Sequence, residues 1–136
     1  MQTYTLEVAT VRENMPIVMA FVEEQTEFIE NKKIFQQLSL AIEELATNIF
    51  NYAYGDEEGR FTISITNDLE KREVIIEFKD SGIEFNPLLY EEADISEPIS
   101  QRKIGGLGIM MAKKMTDKQS YSHKDGENIF TITKRY

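Results

Sequence analysis

The chain contains no cysteine and no tryptophan, and its single histidine is His123. Without cysteine it can form neither disulfides nor thiolate metal sites, and it has no cysteine nucleophile. A lone histidine within a predicted strand also argues against a multi-histidine metal site or a serine–histidine triad. The absence of cysteine fits a reducing compartment, so we expect a cytoplasmic location.

Basic residues and long apolar runs are also scarce. Lys and Arg number 15 against 24 Asp and Glu, which gives a net charge of −9. This charge repels a nucleic-acid backbone, so no nucleic-acid partner is expected. The N-terminus lacks the basic start and apolar run of an export signal, and no stretch reaches the roughly 18 apolar residues of a membrane span. If the ligand is an anion, backbone amides and a bound cation must supply the positive potential locally.

The length of 136 residues suits one domain over residues 1–136. Alternating apolar residues predict strands at 3–8, 60–68, 72–80, 119–123 and 128–134. Helical spacing predicts helices at 13–30, 33–54 and 109–115, with Gly55 as a left-handed cap after the second. Residues 81–104 follow no period and are predicted to form a functional lid. This order indicates an α+β two-layer sandwich, a mostly antiparallel sheet with helices on one face.

Glu44, Asn48 and Asn51 fall on one polar face of the second predicted helix, opposite its apolar stripe. A carboxylate and an amide one turn apart can hold a cation and a water between them, with the amide oxygen as a ligand for Mg²⁺ and the carboxylate as a base. A solvated helix face explains the same residues, and this pair alone does not decide between the two.

Asp80, Ser81 and Gly82 end the third predicted strand. A carboxylate fixed there can accept a hydrogen bond from an exocyclic amine such as that of adenine, and Gly82 would let a flat ring approach the backbone. The alternative is an ordinary turn after a strand.

The stretch Gly105, Gly106, Leu107 and Gly108 precedes the third predicted helix. Unencumbered amides at a helix N-terminus can bind phosphate oxygens, although a flexible entry to a helix is the simpler reading. Arg102 can reach a γ-phosphate or remain solvated. Neither the P-loop nor the Rossmann fingerprint fits this stretch.

In this order, the segments EELATNIFNYAY, DSGIEFNP and GGLGI resemble the ATP-binding family shared by gyrase, Hsp90 chaperones, histidine kinases and MutL proteins, the GHKL or Bergerat fold. The likeness spans residues 38–134 and is greatest to the anti-sigma-factor serine kinases. The wider family has a second glycine where this chain has Glu84, but the Asp-x-Gly-x-x-Phe-x-Pro form seen here is frequent in the kinase branch.

The resemblance implies Glu44 as general base, Asn48 as Mg²⁺ ligand, Asp80 and Gly82 at adenine, and Gly105, Gly106 and Gly108 at the phosphates. From their positions in the sequence, Asn51, Leu107 and Arg102 are expected as further nucleotide contacts. The implied cofactors are ATP or ADP and Mg²⁺. The implied substrate is a serine or threonine of a small anti-anti-sigma protein of the STAS type, with a sigma factor as second partner and a homodimer as assembly. The alternative function is a nucleotide-dependent switch that sequesters a partner without phosphotransfer.

Overall fold

The computed structural model describes residues 1–89 and 106–136, and five strands in these ranges form one sheet. The strands are β1 (Gln2–Ala9), β2 (Arg60–Asp68), β3 (Glu73–Asp80), β4 (Lys118–Lys124) and β5 (Glu127–Arg135). Their order in the sheet is β1-β2-β3-β5-β4, and every neighbouring pair is antiparallel. The last strand in sequence therefore lies inside the sheet, between β3 and β4.

Three helices cover one face of this sheet: α1 (Met15–Thr26), α2 (Lys32–Tyr52) and α3 (Gly106–Met115). The apolar stripe of α2 is buried against the inward side chains of the strands, since both sets belong to one core cluster. The outward side chains of the sheet are largely Ser and Thr, as expected for the polar side of an antiparallel sheet. The predicted two-layer α+β arrangement is thus confirmed.

The strand register brings three positions together at one end of the sheet. Asp80, the last residue of β3, pairs with Phe61 on one side and Asn128 on the other. Asn128 pairs in turn with His123 of β4. This end of the sheet lies beside the C-terminal part of α2, because Ile83 N–H, just after β3, donates to Ala53 C=O at 2.7 Å.

The first helix is shorter than predicted at both ends. Residues Arg12–Asn14 form a 3₁₀ turn before α1, and α1 ends at Thr26 rather than continuing to residue 30. The chain must leave the helix there because Asn31 caps the next one, with its side-chain oxygen accepting from the N–H groups of Lys33 and Ile34.

The other boundaries differ less. Helix α2 ends at Tyr52, two residues before the predicted end, and Gly55 adopts the expected left-handed conformation with φ of 62°. Helix α3 begins at Gly106 instead of 109, so two of the predicted phosphate-binding glycines lie inside its first turn. Of the predicted lid, Pro87–Leu89 forms a 3₁₀ turn, and residues 90–105 lie outside the described ranges. In the described part of the chain, no helix is long and apolar enough to cross a membrane.

Candidate functional site

A cavity of about 190 Å³ lies between α2, the start of α3 and the end of the sheet where β3 finishes. Its apolar wall consists of Leu45, Ile49, Tyr52, Ala53, Phe78, Ile83, Phe85, Pro87, Ile109, Tyr121 and Phe130, and its polar groups come from Asn48, Asp80 and Asn128. Pockets that enclose drug-sized ligands usually measure about 300–1,000 Å³. The volume and aromatic wall therefore suit a single heterocyclic ring system, with any attached groups outside.

Asp80 is the acidic group of this cavity. It is 6% exposed, and its Oδ1 accepts hydrogen bonds from Gly82 N–H and from Asn128 Nδ2, both at 2.9 Å. No hydrogen bond from a described residue reaches Oδ2. The carboxylate is thus held by one oxygen, while the other can accept from a ligand N–H group.

Gly82 has a structural role that its sequence context did not reveal. A Cβ at this position would lie 2.1 Å from Ala53 C=O, so only glycine lets the chain pass so close to the end of α2. Gly82 is not among the residues that line the cavity. Its observed contact is with helix backbone, whereas the sequence suggested that it makes room for a ring.

Asn128 is a functional candidate that the sequence analysis missed. It is 5% exposed and makes four hydrogen bonds. Nδ2 donates to Asp80 Oδ1 and to Ile83 C=O, both at 2.9 Å, and Oδ1 accepts from Phe85 N–H at 3.0 Å and from Tyr121 O–H at 2.6 Å. A signal was present, since residue 128 has the inward parity of the apolar residues of β5, where an amide needs partners.

Tyr121 brings a titratable group to the same wall. Burial raises the pKa of its phenol above the ordinary value of 10.0, and the negative charges of Glu84 and Asp80 add to this, while a hydrogen bond from the Phe85 backbone opposes it. The neutral phenol is therefore favoured, and it donates to Asn128.

The polar face of α2 divides between the cavity and the first turn of α3. Asn48 lines the cavity. Glu44, one turn earlier, points to α3, because a Cβ at residue 108 would lie 2.6 Å from Glu44 Oε2. Asn51 is exposed and is not part of the cavity wall. The structure thus brings Glu44 and Asn48 to the region between cavity and α3, and leaves Asn51 at the surface.

The first turn of α3 begins where the cavity wall ends, because Ile109 belongs to both. Gly106, Leu107 and Gly108 form this turn, and the first four N–H groups of a helix have no partner inside it. These amides carry partial positive charge that favours phosphate. The predicted sites at Arg102 and Gly105 lie outside the described residues.

The described residues contain no cluster of side chains that could hold a metal ion by themselves. Within residues 1–89 and 106–136, no group of three or more His, Cys, Asp or Glu side chains can hold a metal ion. Mg²⁺ is commonly held by one or two protein oxygens together with waters and substrate phosphates. The amide oxygen of Asn48 fits that requirement as a single protein ligand.

The chain is similar to known proteins both in sequence and in fold. Residues 5–134 match the histidine kinase-like ATPase domain family. The fold resembles that of the RsbU and RsbW domains of Rv1364c from Mycobacterium tuberculosis, with a TM-score of 0.68 and 15% identity over 99% of this chain and 32% of that one.

Three curated relatives are called serine-protein kinase RsbW. The protein from Bacillus cereus (strain AH187) is 25% identical over 83% of this chain and 71% of its own length. That from Bacillus mycoides is 26% identical over 69% and 60%, and that from Halalkalibacterium halodurans is 30% identical over 67% and 57%. The matched region therefore spans less than two thirds of two of these relatives. The resemblance predicted from the three sequence segments is confirmed.

Proposed function

The chain belongs to the histidine kinase-like ATPase domain family, and we propose that it is an ATP-dependent protein serine/threonine kinase like the RsbW proteins. The observation that carries this proposal is a juxtaposition. A ring-sized apolar cavity ending at Asp80 opens beside the first turn of α3, and the carboxylate of Glu44 lies against that turn. The nucleotide ring, its phosphates and the carboxylate proposed as general base can therefore occupy adjacent positions.

In the proposed complex, adenine fills the cavity and its exocyclic amine donates to Asp80 Oδ2. The phosphates extend past Ile109 to the amides of Gly106, Leu107 and Gly108. Asn48 is the protein ligand for Mg²⁺, which, when bound, neutralises part of the phosphate charge. Gly105 and Arg102 are proposed as further phosphate contacts, and Asn51 as a peripheral one.

The proposed reaction transfers the γ-phosphoryl group to a serine or threonine hydroxyl. Glu44 accepts the hydroxyl proton while the hydroxyl oxygen bonds to the γ-phosphorus. The bond between the γ-phosphorus and the bridging oxygen breaks, and ADP leaves with that electron pair. Positioning and electrostatic stabilisation supply most of the rate in such reactions.

The proposed substrate is a small anti-anti-sigma protein of the STAS type, and the proposed second partner is a sigma factor that the chain sequesters, as a homodimer, in the cytoplasm. The names of the RsbW relatives support the serine substrate, since they are serine-protein kinases.

The decisive experiment incubates the protein with Mg²⁺, γ-labelled ATP and STAS-type proteins from the same genome, and then maps labelled residues by mass spectrometry. We expect phosphoserine or phosphothreonine in one of them. Glu44→Gln should lower the transfer rate by at least about 100-fold with ATP affinity retained. Glu43→Gln, the exposed neighbouring carboxylate on α2, is the matched control and should be unaffected.

Absence of labelled product would contradict the proposed kinase activity. If the affinity for a partner protein still differed between the ATP-bound and ADP-bound forms, the alternative function, a nucleotide-dependent switch, would be supported instead. Calorimetry with Mg-ATP tests the nucleotide site separately, and Asp80→Asn should weaken binding about 10- to 100-fold, as expected for loss of a hydrogen bond to a charged group.

A further inference from the structure

The site contains one side chain whose hydrogen-bonding capacity is used completely within the protein. Asn128 has two N–H donors and two acceptor lone pairs on its amide oxygen. Each of the four has a partner at 3.0 Å or less, from three different parts of the chain. The Asn128 side chain therefore has no donor or acceptor left for a hydrogen bond to a ligand.

The orientation of this amide is fixed by backbone groups that cannot exchange roles. Phe85 N–H can only donate and must face Oδ1, whereas Ile83 C=O can only accept and must face Nδ2. The group next to Asp80 is consequently always an N–H donor. Asn128 therefore fixes Asp80 Oδ1 as an acceptor and leaves Oδ2 to the cavity.

The same four bonds hold the chain after β3 in place. Ile83 and Phe85 both line the cavity and are 67% and 43% exposed, so little packing holds them there. Two of the hydrogen bonds of Asn128 fasten their backbone to β5. The Asn128 side chain thus fixes both the orientation of the Asp80 carboxylate and the position of the adjacent cavity wall.

We propose that Asn128, supported by Tyr121, is the positioning residue that orients Asp80 and residues 83–85 so that the cavity selects a ring bearing an exocyclic amine over one bearing a carbonyl. This inference rests on the proposed nucleotide site. It predicts that the unmodified protein binds Mg-ATP more tightly than Mg-GTP, and that this preference depends on the N–H donor of residue 128.

Asn128→Asp tests this dependence because it keeps the shape and removes the donor. Two adjacent carboxylates favour sharing one proton, and the protonated form restores an O–H donor to Asp80. We expect Mg-ATP affinity at least about 10-fold below that of the unmodified protein at pH 8, and recovering to within about threefold at pH 5.5. In the same variant, the ratio of ATP affinity to GTP affinity should be lowered at pH 8 and should recover at pH 5.5.

The titratable residues around Asn128 include its hydrogen-bond partners Asp80 and Tyr121, its strand partner His123, and Glu84, which pairs with His123. All four are ionisable residue types, and His123 Nδ1 and Glu84 Oε1 lie 3.4 Å apart. Each affinity is therefore compared with that of the unmodified protein at the same pH.

Asn67→Asp is the matched control. Asn67 Oδ1 accepts from Tyr136 O–H at 2.6 Å, the same distance as in the Tyr121 contact, and lies at the other end of β2 from the cavity. This change adds the same charge and should leave nucleotide affinity within about twofold at every pH.

Tyr121→Phe is a second test, since it leaves the other three bonds of Asn128 intact and does not threaten the fold. We expect Tyr121→Phe to weaken Mg-ATP binding about 3- to 10-fold. The control variant Tyr136→Phe should bind Mg-ATP as tightly as the unmodified protein. The inference is overturned if Asn128→Asp binds like the unmodified protein at pH 8, if its deficit is the same at all pH values, or if Tyr121→Phe has no effect. If the unmodified protein binds neither nucleotide, the proposed function itself fails.

Discussion

Two glycines near the site illustrate how one residue type serves different purposes. At Gly108, an added Cβ would lie 2.6 Å from Glu44 Oε2, which can rotate away, and 3.2 Å from Glu44 Cβ, a tight contact that a shift of a few tenths of an ångström would relieve. At Gly82, it would meet a backbone carbonyl, which cannot move without shifting α2. The first glycine leaves room for a chemical group, and the second permits close packing.

We predict that Gly108→Ala separates stability from activity. Alanine favours helix by up to about 1 kcal/mol over glycine, so the free energy of unfolding should stay constant or rise. Displacement of the Glu44 carboxylate should lower phosphotransfer about 10- to 100-fold, because it misplaces the proposed general base. Urea unfolding and a phosphotransfer assay measure the two effects.

Gly82→Ala is the comparison variant and should instead lose about 1–3 kcal/mol of stability through overpacking against Ala53. Equal stability losses in both variants would contradict this prediction and would show that Gly108 is also a packing residue.

At the scale of elements, the sequence predicted the five strands and three α-helices found in residues 1–89 and 106–136, because alternation and helical spacing persist through each of them. Boundaries were less certain, since they depend on contacts between residues. Residues 27–30 look helical by spacing, yet the capping bonds of Asn31 require the chain to turn. Asn128 was missed for the same reason, because its importance lies in a neighbour 48 residues earlier in sequence.

The cap of α2 can be tested directly. Asn31→Ala removes the acceptor for Lys33 N–H and Ile34 N–H, and should cost about 1 kcal/mol of stability. Asn31→Asp should retain most of it, since a carboxylate caps equally well. Chemical unfolding provides the measurement.

Gln36→Ala, on the exposed surface of the same helix, serves as the control and should change stability by less than about 0.5 kcal/mol. Because the cap lies at the far end of α2 from the cavity, nucleotide affinity should be unchanged in all three variants. A loss of affinity in Asn31→Ala would indicate that the whole helix moves.

For the whole molecule, the raised pKa of Tyr121 predicts a dependence of stability on alkaline pH. The unfolded chain ionises near the ordinary value of 10.0, whereas the folded protein resists ionisation. This contribution is fully present below pH 10 and is lost as pH rises through the higher folded pKa. The unmodified protein should therefore lose stability more steeply than Tyr121→Phe above pH 10.

Urea unfolding midpoints at pH 8, 10 and 11 provide this comparison. The difference between the two proteins should be constant from pH 8 to about pH 9 and narrow above pH 10. Parallel curves throughout would mean that the phenol ionises as readily in the folded protein as in the unfolded chain.

The position of β5 between β3 and β4 also affects when the protein becomes competent during synthesis. Asp80 leaves the ribosome long before Asn128, but its neighbour in the sheet arrives only with the last strand. A nascent chain with β1 to β4 exposed would still lack the interior strand that orients the acid. Under the proposed function, nucleotide binding is therefore acquired only when β5 inserts, and translation products that lack β5 should not bind nucleotide.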